Sequence, residues 1–385
     1  MVAGIVCEYN PFHNGHLYQI DKTRKAGADG IICVMSGNFV QRGECALIDK
    51  HKRALCAIRG GADLVIDLPV PWALGSAESF ARGSISLLSA FGIELLSFGC
   101  ESDDKELLYL CAKASDDEKV ASNIKTLMSD GLSYPSALSR AAGEIYGEEA
   151  KELMSLPNST LAVEYIRQLE IYSPDCDILP IKRIGADHDS DKANGTFASA
   201  SRIRALAGKY DVSAFIPDFT AEMLSHEEFH CTEYAERAIL SSLREMTKEE
   251  YSLYVTDSKG LADRIFNAAK EAISLEELHT AVKSKNYTHS RIRREIMKLY
   301  LKIPADFEKR TPPYVRVLAA NEKGLSFLKS SRLPVVTKHS DATFKDSFSK
   351  EIYDLQCRST DKYALMAEKI SPAGREQRSG ITIVK

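Results

Sequence analysis

The chain has 385 residues, of which 27% are charged and 44% are hydrophobic, and its formal net charge is −4. This composition is typical of a globular protein, and the length predicts two or three domains. The negative charge excludes binding to nucleic acid through overall charge alone, so such binding requires a local basic patch. The nine cysteines form no Cys-x-x-Cys pair, which argues against a zinc knuckle and favours free thiols in a reducing compartment.

Targeting and membrane segments are not evident in the sequence. The N-terminus lacks a basic segment followed by a long apolar run, and no apolar stretch reaches the length of a membrane span. We therefore predict a cytoplasmic protein without membrane contact. The sequence leaves the oligomeric state open.

The first sixteen residues are the most informative stretch. Gly4 to Cys7 is small, apolar and β-branched and predicts a short buried strand, which Asn10-Pro11 ends because proline has no N–H for a ladder. His13-Asn14-Gly15-His16 then begins a helix. Free N–H groups at a helix N-terminus attract anions, and a glycine without Cβ lets a ligand approach the backbone. The pattern predicts that the two histidines donate hydrogen bonds to phosphate oxygens during attack at phosphorus.

One pattern occurs three times in the sequence. In each case a glycine closes a helix, and a short apolar run follows it. These runs are Gly30–Met35, Leu64–Ile66 and Ile93–Phe98, and Cys176–Ile181 reads as a further strand. Strands that alternate with helices predict an α/β protein with a doubly wound parallel sheet. The carboxyl ends of such strands share one edge, so the loops Ser36–Glu44, Asp67–Trp72 and Gly99–Glu101 are candidate walls of a ligand crevice.

The segment Ser199-Ala200-Ser201-Arg202-Ile203-Arg204 begins another helix beyond the last of these strands. Serines at this position cap a helix, and capping alone would explain them. Because the histidine motif lies in the same predicted sheet, we favour phosphate binding by the hydroxyls and free N–H groups. Ser199, Ser201 and Arg204 are therefore expected nucleotide ligands.

From Lys209 to Arg310 the chain reads as helices with short polar connections. The helix that begins near Tyr287 has an apolar face with a basic face beside it. The basic residues of this face and its approach are Lys283, Lys285, Arg291, Arg293, Arg294, Lys298 and Lys302. Such a stripe suits a nucleic-acid backbone, and a solvated face is the alternative. We predict a nucleotide-binding domain over 1–208 and a mainly α-helical C-terminal region over 209–385 that binds RNA.

A rival pattern lies within the helical region. His226-Glu227-Glu228-Phe229-His230 matches the His-Glu-x-x-His pattern of zinc hydrolases, in which both histidines share one face of a helix. Its surroundings are polar, and no third ligand is evident in the sequence. A zinc site is therefore the less favoured interpretation, and we expect no metal site. The chain has neither a Walker loop nor a Gly-x-Gly-x-x-Gly fingerprint.

Two motifs resemble those of the His-x-Gly-His nucleotidyltransferase superfamily. They are His13–His16 and Ser199–Arg204, although Ala198 and Ala200 stand where the second motif of that superfamily has Ile and Ser. A closer resemblance, over most of the chain, is to the tRNA(Met) cytidine acetate ligase family. It rests on Glu8 to His16, Ser36 to Gly43, Pro157 to Ser159 and Tyr287 to Arg294.

This resemblance implies a Rossmann-type, nucleotidyltransferase-like fold and an ATP-dependent ligase. The family activates acetate with ATP to acetyl-adenylate and then acylates the N4 amine of the wobble cytidine of elongator tRNA(Met). The implied ATP site, with Mg²⁺ accompanying the nucleotide, contains Val6, Cys7, Glu8, Tyr9, Asn10, Pro11, Phe12, His13, Asn14, Gly15, His16, Gln19, Gly99, Asn158 and Arg183. By the same resemblance, the basic stripe would bind tRNA.

The residues alone do not supply acetate, cytidine or tRNA(Met). An adenylyltransferase acting on a small phosphate ester therefore stays open as an alternative, as does a non-catalytic RNA-binding protein. The paired histidines of the first motif argue against the second of these.

Overall fold

A mainly parallel sheet forms the centre of the structure, a computed structural model that describes residues 1–183, 195–255, 260–285 and 287–385. The strands are β1 (Val2–Cys7), β2 (Gly30–Ser36), β3 (Phe39–Val40), β4 (Glu44–Cys45), β5 (Leu64–Leu68), β6 (Leu95–Cys100), β7 (Asp177–Lys182), β8 (Val315–Asn321), β9 (Val335–Val336) and β10 (Thr382–Val384). The order in the sheet is β10-β8-β5-β2-β1-β6-β7, with β9 beside β8, while β3 and β4 form a separate hairpin.

Helices connect these strands and cover the sheet. They are α1 (Asn14–Lys25), α2 (Lys50–Arg59), α3 (Val70–Ala73), α4 (Ala77–Ser89), α5 (Lys105–Ser115), α6 (Glu118–Ser129), α7 (Tyr134–Tyr146), α8 (Glu148–Ser155), α9 (Pro157–Tyr172), α10 (Ala200–Leu206), α11 (Asp218–His226), α12 (Glu236–Glu245), α13 (Lys248–Tyr254), α14 (Leu261–Glu271), α15 (Leu275–Val282), α16 (His289–Leu301), α17 (Glu322–Phe327), α18 (Ser347–Tyr363) and α19 (Arg375–Arg378).

The two faces of the sheet bury different helices because side chains alternate along each strand. Ile5 of β1 packs in the same apolar cluster as Ile20 of α1 and Ile58 of α2. On the opposite face, Gly4 lies against Leu88 of α4, whose methyl carbon is 2.8 Å from where a Cβ would stand. Helices on both faces of a parallel sheet confirm the predicted doubly wound α/β class.

The predicted strands form close to their expected positions, with β1, β2, β5, β6 and β7 paired in parallel. The C-terminal region, which we predicted to be mainly helical, also contributes strands to this sheet. β8 pairs antiparallel with β5, and β10 pairs parallel with β8, so the sheet takes strands from both predicted regions. The buried run from Val315 to Ala320 covers the edge of β5, which would otherwise expose unpaired N–H and C=O groups. A boundary at residue 208 stays a prediction.

Candidate functional site

A cavity of about 290 Å³ lies at the carboxyl edge of the sheet, between the ends of β1 and β6, the first turns of α1, α9 and α10, and the β3–β4 hairpin. Most of the expected nucleotide ligands line it: Val6, Cys7, Glu8, Tyr9, Asn10, His13, His16, Gln19, Gly99, Asn158, Arg183, Ser199, Ser201 and Arg204. Residues far apart in the chain meet here because parallel strands bring their carboxyl ends to one edge.

The two histidines occupy the turn between β1 and α1. His13 is the N-cap of α1, and its Nδ1 accepts a hydrogen bond from the Gly15 N–H at 3.1 Å. Nδ1 of His16 accepts from the His13 N–H at 3.2 Å. Since Nδ1 is an acceptor in both rings, the neutral tautomer of each carries its proton on Nε2. Each imidazole is thus left with one N–H donor.

Both histidines are neutral at pH 7. Burial, together with the guanidinium groups of Arg183 and Arg204, lowers the pKa of His13 to about 3. Burial also holds the pKa of His16 well below its usual range, with smaller contributions from His13 and Arg183. Hydrogen-bond donation from neutral rings, and not a permanent positive charge, is therefore what this pair offers a phosphate.

Arginines supply the positive charge. Arg204 donates to the Asn10 carbonyl at 2.9 Å and to the Ser201 hydroxyl at 3.3 Å. Arg42, on the β3–β4 hairpin, donates to the same hydroxyl at 3.2 Å. Within the described ranges both guanidinium groups hydrogen-bond to neutral oxygens only, and the carboxylates of Glu44 and Glu8 act on Arg204 through space. Ser199 forms the expected cap, accepting from the Arg202 N–H at 3.2 Å.

Glu101, just after β6, holds the first turn of α9. Its Oε1 accepts from the Asn158 side chain at 2.7 Å, and its Oε2 accepts from the N–H and the hydroxyl of Ser159 at 2.8 and 2.7 Å. Burial opposes ionisation of this carboxyl group, but the bonds from Ser159 and Asn158 outweigh it and lower its pKa. Glu101 therefore orients Asn158, one of the expected ATP ligands.

Four expected ATP ligands do not line the cavity: Pro11, Phe12, Asn14 and Gly15. The ring of Phe12 is buried against Tyr9, 4.9 Å between centroids. The Asn14 amide donates to the carbonyls of Thr196 and Ala214 at 3.0 and 3.1 Å. A Cβ on Gly15 would stand 2.9 Å from Cε1 of His13. The room left by this glycine is thus taken by the histidine ring, and not by a ligand as predicted.

Several other residues that line the cavity were not among the expected ligands, namely Val40, Gln41, Arg42, Phe80, Phe98, Pro157, Leu161, Tyr165 and Ala200. The position of Ser36–Glu44 after a strand was the available signal for the hairpin residues, and that loop was predicted as a crevice wall. Phe80 and Leu161 lie on helices whose apolar residues also build the core, so periodicity does not separate a lining residue from a core residue.

The start of α16 packs directly on the β3–β4 hairpin. Gly43 has φ +79°, and a Cβ there would stand 2.5 Å from the backbone nitrogen of Arg294. Arg294 donates to the Gln41 carbonyl at 3.4 Å, and Arg293 forms an ion pair with Glu44. The predicted RNA-binding helix therefore begins beside the cavity, although it lies far from the cavity residues in sequence.

The prediction that Lys298 belongs to the exposed basic stripe is wrong. Lys298 is 2% exposed, and its ammonium group pairs with Glu308 at 3.0 Å and Glu295 at 3.7 Å. The basic stripe is therefore interrupted, because Lys298 turns into the core. Lys285 and Lys302 are exposed, and Lys283 bonds to the Tyr287 carbonyl at 3.1 Å.

The geometry does not support a zinc site at the His-Glu-x-x-His pattern of residues 226–230. Helix α11 ends at His226, so the two histidines of the pattern do not share a helical face. The His230 ring instead stacks on Tyr363, with centroids 4.0 Å apart and planes 7° apart. No metal-holding group of three or more His, Cys, Asp or Glu side chains occurs in the described part of the chain. No helix there is both long enough and apolar enough to cross a bilayer.

Donor groups and helix N-termini gathered at the carboxyl edge of a parallel sheet are typical of a nucleotide-binding α/β protein. The model of the HIGH nucleotidyl transferase family matches residues 1–378 of the chain. The tRNA(Met) cytidine acetate ligase of Acetivibrio thermocellus is 34% identical over 100% of both chains, and that of Thermoanaerobacter sp. strain X514 is 36% identical over 97% of each. The chain belongs to the tRNA(Met) cytidine acetate ligase family.

Solved structures agree with this assignment. Thermotoga maritima TmcAL bound with alpha-thio ATP superposes with a TM-score of 0.91 at 30% identity, over 100% of both chains. The apo form of the same protein gives a TM-score of 0.89 at 31% identity, again over 100% of both chains. The expected family and fold are therefore confirmed.

Proposed function

We propose that this protein is an ATP-dependent ligase that activates acetate as acetyl-adenylate and transfers the acetyl group to the N4 amine of the wobble cytidine of elongator tRNA(Met). The main support is the match to tRNA(Met) cytidine acetate ligases over the full length of the chain. The cavity at the carboxyl edge of the sheet supplies groups suited to the first step of this reaction.

In that step an acetate oxygen attacks the α-phosphorus of ATP, and the bond to the bridging oxygen breaks to release pyrophosphate. Negative charge builds on the phosphate oxygens during the attack. Donors that are already in place stabilise such charge without reorganising. We assign this role to the Nε2–H groups of His13 and His16, with Arg204 and the first turn of α10 holding the remaining phosphate oxygens.

Magnesium would come with the nucleotide. Glu8 is the one carboxylate among the cavity-lining residues of the described chain, so these side chains do not build a magnesium site of their own. Mg²⁺ is commonly bound through substrate phosphates with few protein ligands. The residues therefore fit Mg²⁺ held on the triphosphate, where it would neutralise phosphate charge.

The tRNA is proposed to lie along the start of α16 and its approach. Lys283, Lys285, Arg291, Arg293, Arg294 and Lys302 form the revised set of tRNA-binding residues, without Lys298. Because Gly43 of the hairpin touches Arg293 and Arg294 near the start of this helix, a tRNA bound there would lie next to the cavity. We also propose a cytoplasmic location, which is supported by the nine free cysteines.

Two assays on the purified protein test the function. The first is acetate-dependent exchange of labelled pyrophosphate into ATP without tRNA, and the second is incorporation of labelled acetate into an elongator tRNA(Met) transcript. We expect activity in both, and we expect no incorporation when the wobble cytidine is replaced by uridine. Absence of acetate-dependent exchange, or exchange with a phosphate ester in place of acetate, would reject the proposal.

A further inference from the structure

The residues that line the cavity fall into two sets, here called its first and second lobes, according to the side of β1 on which they lie. The side chain of Cys7 belongs to the apolar cluster on the α1 face, and the two histidines lie at the start of α1. Side chains alternate along a strand, so Val6 lies on the other face with α4 and α9. Glu8 follows β1 directly, and after burial its charge is the largest cause that raises the pKa of Tyr165 on α9. That second lobe is lined by Glu8 and by Phe80, Phe98, Leu161 and Tyr165.

Aromatic groups form the wall of the second lobe. The rings of Phe98 and Tyr165 lie 5.9 Å apart, inclined at 56°, and both side chains are largely buried. Phe80 is 2% exposed, yet it borders the same cavity. Enzymes that modify a nucleobase take it out of the stack and hold it against aromatic and apolar side chains. The second lobe offers such a surface, whereas the first lobe carries the phosphate-binding groups.

Glu8 is held firmly in this lobe. A guanidinium N–H of the buried Arg53 donates to the Glu8 backbone carbonyl. The Gln41 N–H donates to Oε1 of its carboxylate at 2.7 Å, and within the described ranges this is the hydrogen bond that the carboxylate receives. Glu8 lines the cavity, so its carboxylate has further acceptor positions to offer a ligand there.

A carboxylate does not suit the anionic substrates. ATP and acetate both carry negative charge, and a neighbouring carboxylate repels them. The exocyclic N4 amine of cytosine is a hydrogen-bond donor, and Glu accepts from this group in base recognition. Uracil presents an acceptor at the same position, which a carboxylate disfavours. The charge and the aromatic wall thus favour the same occupant.

We propose that Glu8 receives the target cytosine, accepting a hydrogen bond from its N4 amine and then taking its proton. This inference rests on the proposed function and deepens it. The family resemblance implies that Glu8 is an ATP ligand, whereas this proposal assigns it to the cytosine that accepts the acetyl group. The aromatic wall of Phe98 and Tyr165 would stack the base in place.

The chemical step balances without a further reactant. The N4 lone pair attacks the carbonyl carbon of acetyl-adenylate and forms the new C–N bond. The bond between that carbon and the phosphate oxygen breaks, and AMP leaves with the electron pair. The proton lost by N4 passes to Oε2 of Glu8 and from there to solvent. A base in this role contributes roughly 10²–10⁴-fold to the rate.

The test compares the two half-reactions in Glu8→Gln, which keeps an oxygen for the Gln41 N–H. We expect acetyl transfer to tRNA to fall by about 10²–10⁴-fold, and this fall to exceed any fall in acetate-dependent pyrophosphate exchange by at least tenfold. Glu8→Asp retains a carboxylate and should recover part of the transfer rate. Glu222→Gln, on an exposed pair with Arg59, is the background control.

A binding measurement gives a second readout that does not depend on turnover. Elongator tRNA(Met) transcripts with cytidine or uridine at the wobble position compete for the protein in the absence of ATP. We expect the wild type to prefer cytidine by at least about fivefold, the lower end for one well-placed base contact. Glu8→Gln should reduce this preference, because an amide also donates to the uracil oxygen.

The outcomes separate the two proposals. A wild type without acetate-dependent exchange would reject the proposed function, whatever Glu8 does. A wild type active in both assays, with a Glu8→Gln variant that transfers acetyl at the wild-type rate or keeps its preference for cytidine, would overturn the role of Glu8 alone. Should Glu8→Gln fail to fold, Glu8→Ala takes its place: a transfer rate no more impaired than exchange in that variant overturns the role.

Discussion

The imidazole rings of His13 and His16 stack with centroids 3.6 Å apart and planes 21° apart. Two protonated rings would repel each other at this distance, but burial keeps both neutral. The capping bonds at Nδ1 hold each ring at the start of α1 and leave the Nε2–H as the donor. The stack therefore places two donors side by side at the edge where the cavity opens.

Replacement of either histidine by Ala should lower acetate-dependent pyrophosphate exchange by roughly 10²–10³-fold, the scale for losing one charge-stabilising donor. The KM for ATP should change less, because the donors act mainly as charge builds on the phosphate. Steady-state exchange kinetics give both values. His226→Ala, at the end of α11, is the matched control and should stay within twofold of the wild type. Unchanged exchange in both His13 and His16 variants would remove the catalytic assignment.

The depressed pKa of His13 makes stability depend on pH. The unfolded chain takes up a proton near the ordinary value of about 6.5, whereas folded His13 does so only near 3. The unfolded state then binds more protons between these values, so the stabilising contribution is present above pH 6.5 and is lost as pH falls below it. As the pH falls from 7 to 5.5, this group should lower the free energy of unfolding by about 1 kcal/mol.

Urea unfolding of wild type and His13→Asn at pH 7 and 5.5 measures this effect. Asn keeps a side chain able to cap α1, and the carboxylates titrate alike in both proteins. The variant should therefore lose less free energy of unfolding over the interval than the wild type. Equal losses would show that folded His13 takes up its proton near the ordinary pKa.

Gly15→Ala should disturb catalysis through His13. The added methyl group would stand 2.9 Å from Cε1 and 3.1 Å from Nδ1 of that ring, so the ring must shift and its capping bond must weaken. We expect at least tenfold slower exchange, because displacing a catalytic group by about 1 Å costs up to 10²-fold. Gly380→Ala, where the added methyl group has its nearest neighbour at 3.9 Å outside the cavity lining, is the steric comparison. Wild-type exchange in Gly15→Ala would contradict the arrangement.

Lys298 should act in stability and not in tRNA binding. Lys298→Met leaves the buried carboxylates of Glu295 and Glu308 without this ammonium, and breaking a buried pair costs about 3–5 kcal/mol. Lys302→Met removes an exposed ammonium and should change the free energy of unfolding by about 0.5 kcal/mol or less. Denaturant titration compares the two. Equal stability of both variants would place Lys298 at the surface, as first predicted.

Lys285 and Arg291 should set the salt dependence of tRNA binding. Each phosphate contact that is lost reduces the slope of log K against log salt by about one unit. Filter binding of Lys285→Gln and Arg291→Gln across salt concentrations should show this decrease, with pyrophosphate exchange measured alongside. Lys113→Gln, an exposed lysine on α5, should leave the slope unchanged. If both variants kept the wild-type slope, the basic stripe would be a solvated face that does not bind tRNA.

Local signals in the sequence were sufficient for the parallel sheet and for the histidine turn. The apolar runs of β1, β2, β5, β6 and β7 and the proline after β1 specify strand and helix ends within a few neighbouring residues. The groups at the N-termini of α1 and α10 likewise follow from capping chemistry that acts over three or four residues. The family motifs are contiguous in the chain, so they too were visible without a structure.

Contacts between distant segments were decided only by the tertiary structure. Periodicity placed Lys298 on a basic face, but α16 packs so that Glu308, from the turn after it, buries the ammonium. The room beside Gly15 was assigned to a ligand, but the ring of His13 fills it. The antiparallel place of β8 beside β5 and the aromatic wall opposite Glu8 also join segments far apart in sequence. Such contacts depend on packing in three dimensions, so local propensity does not predict them.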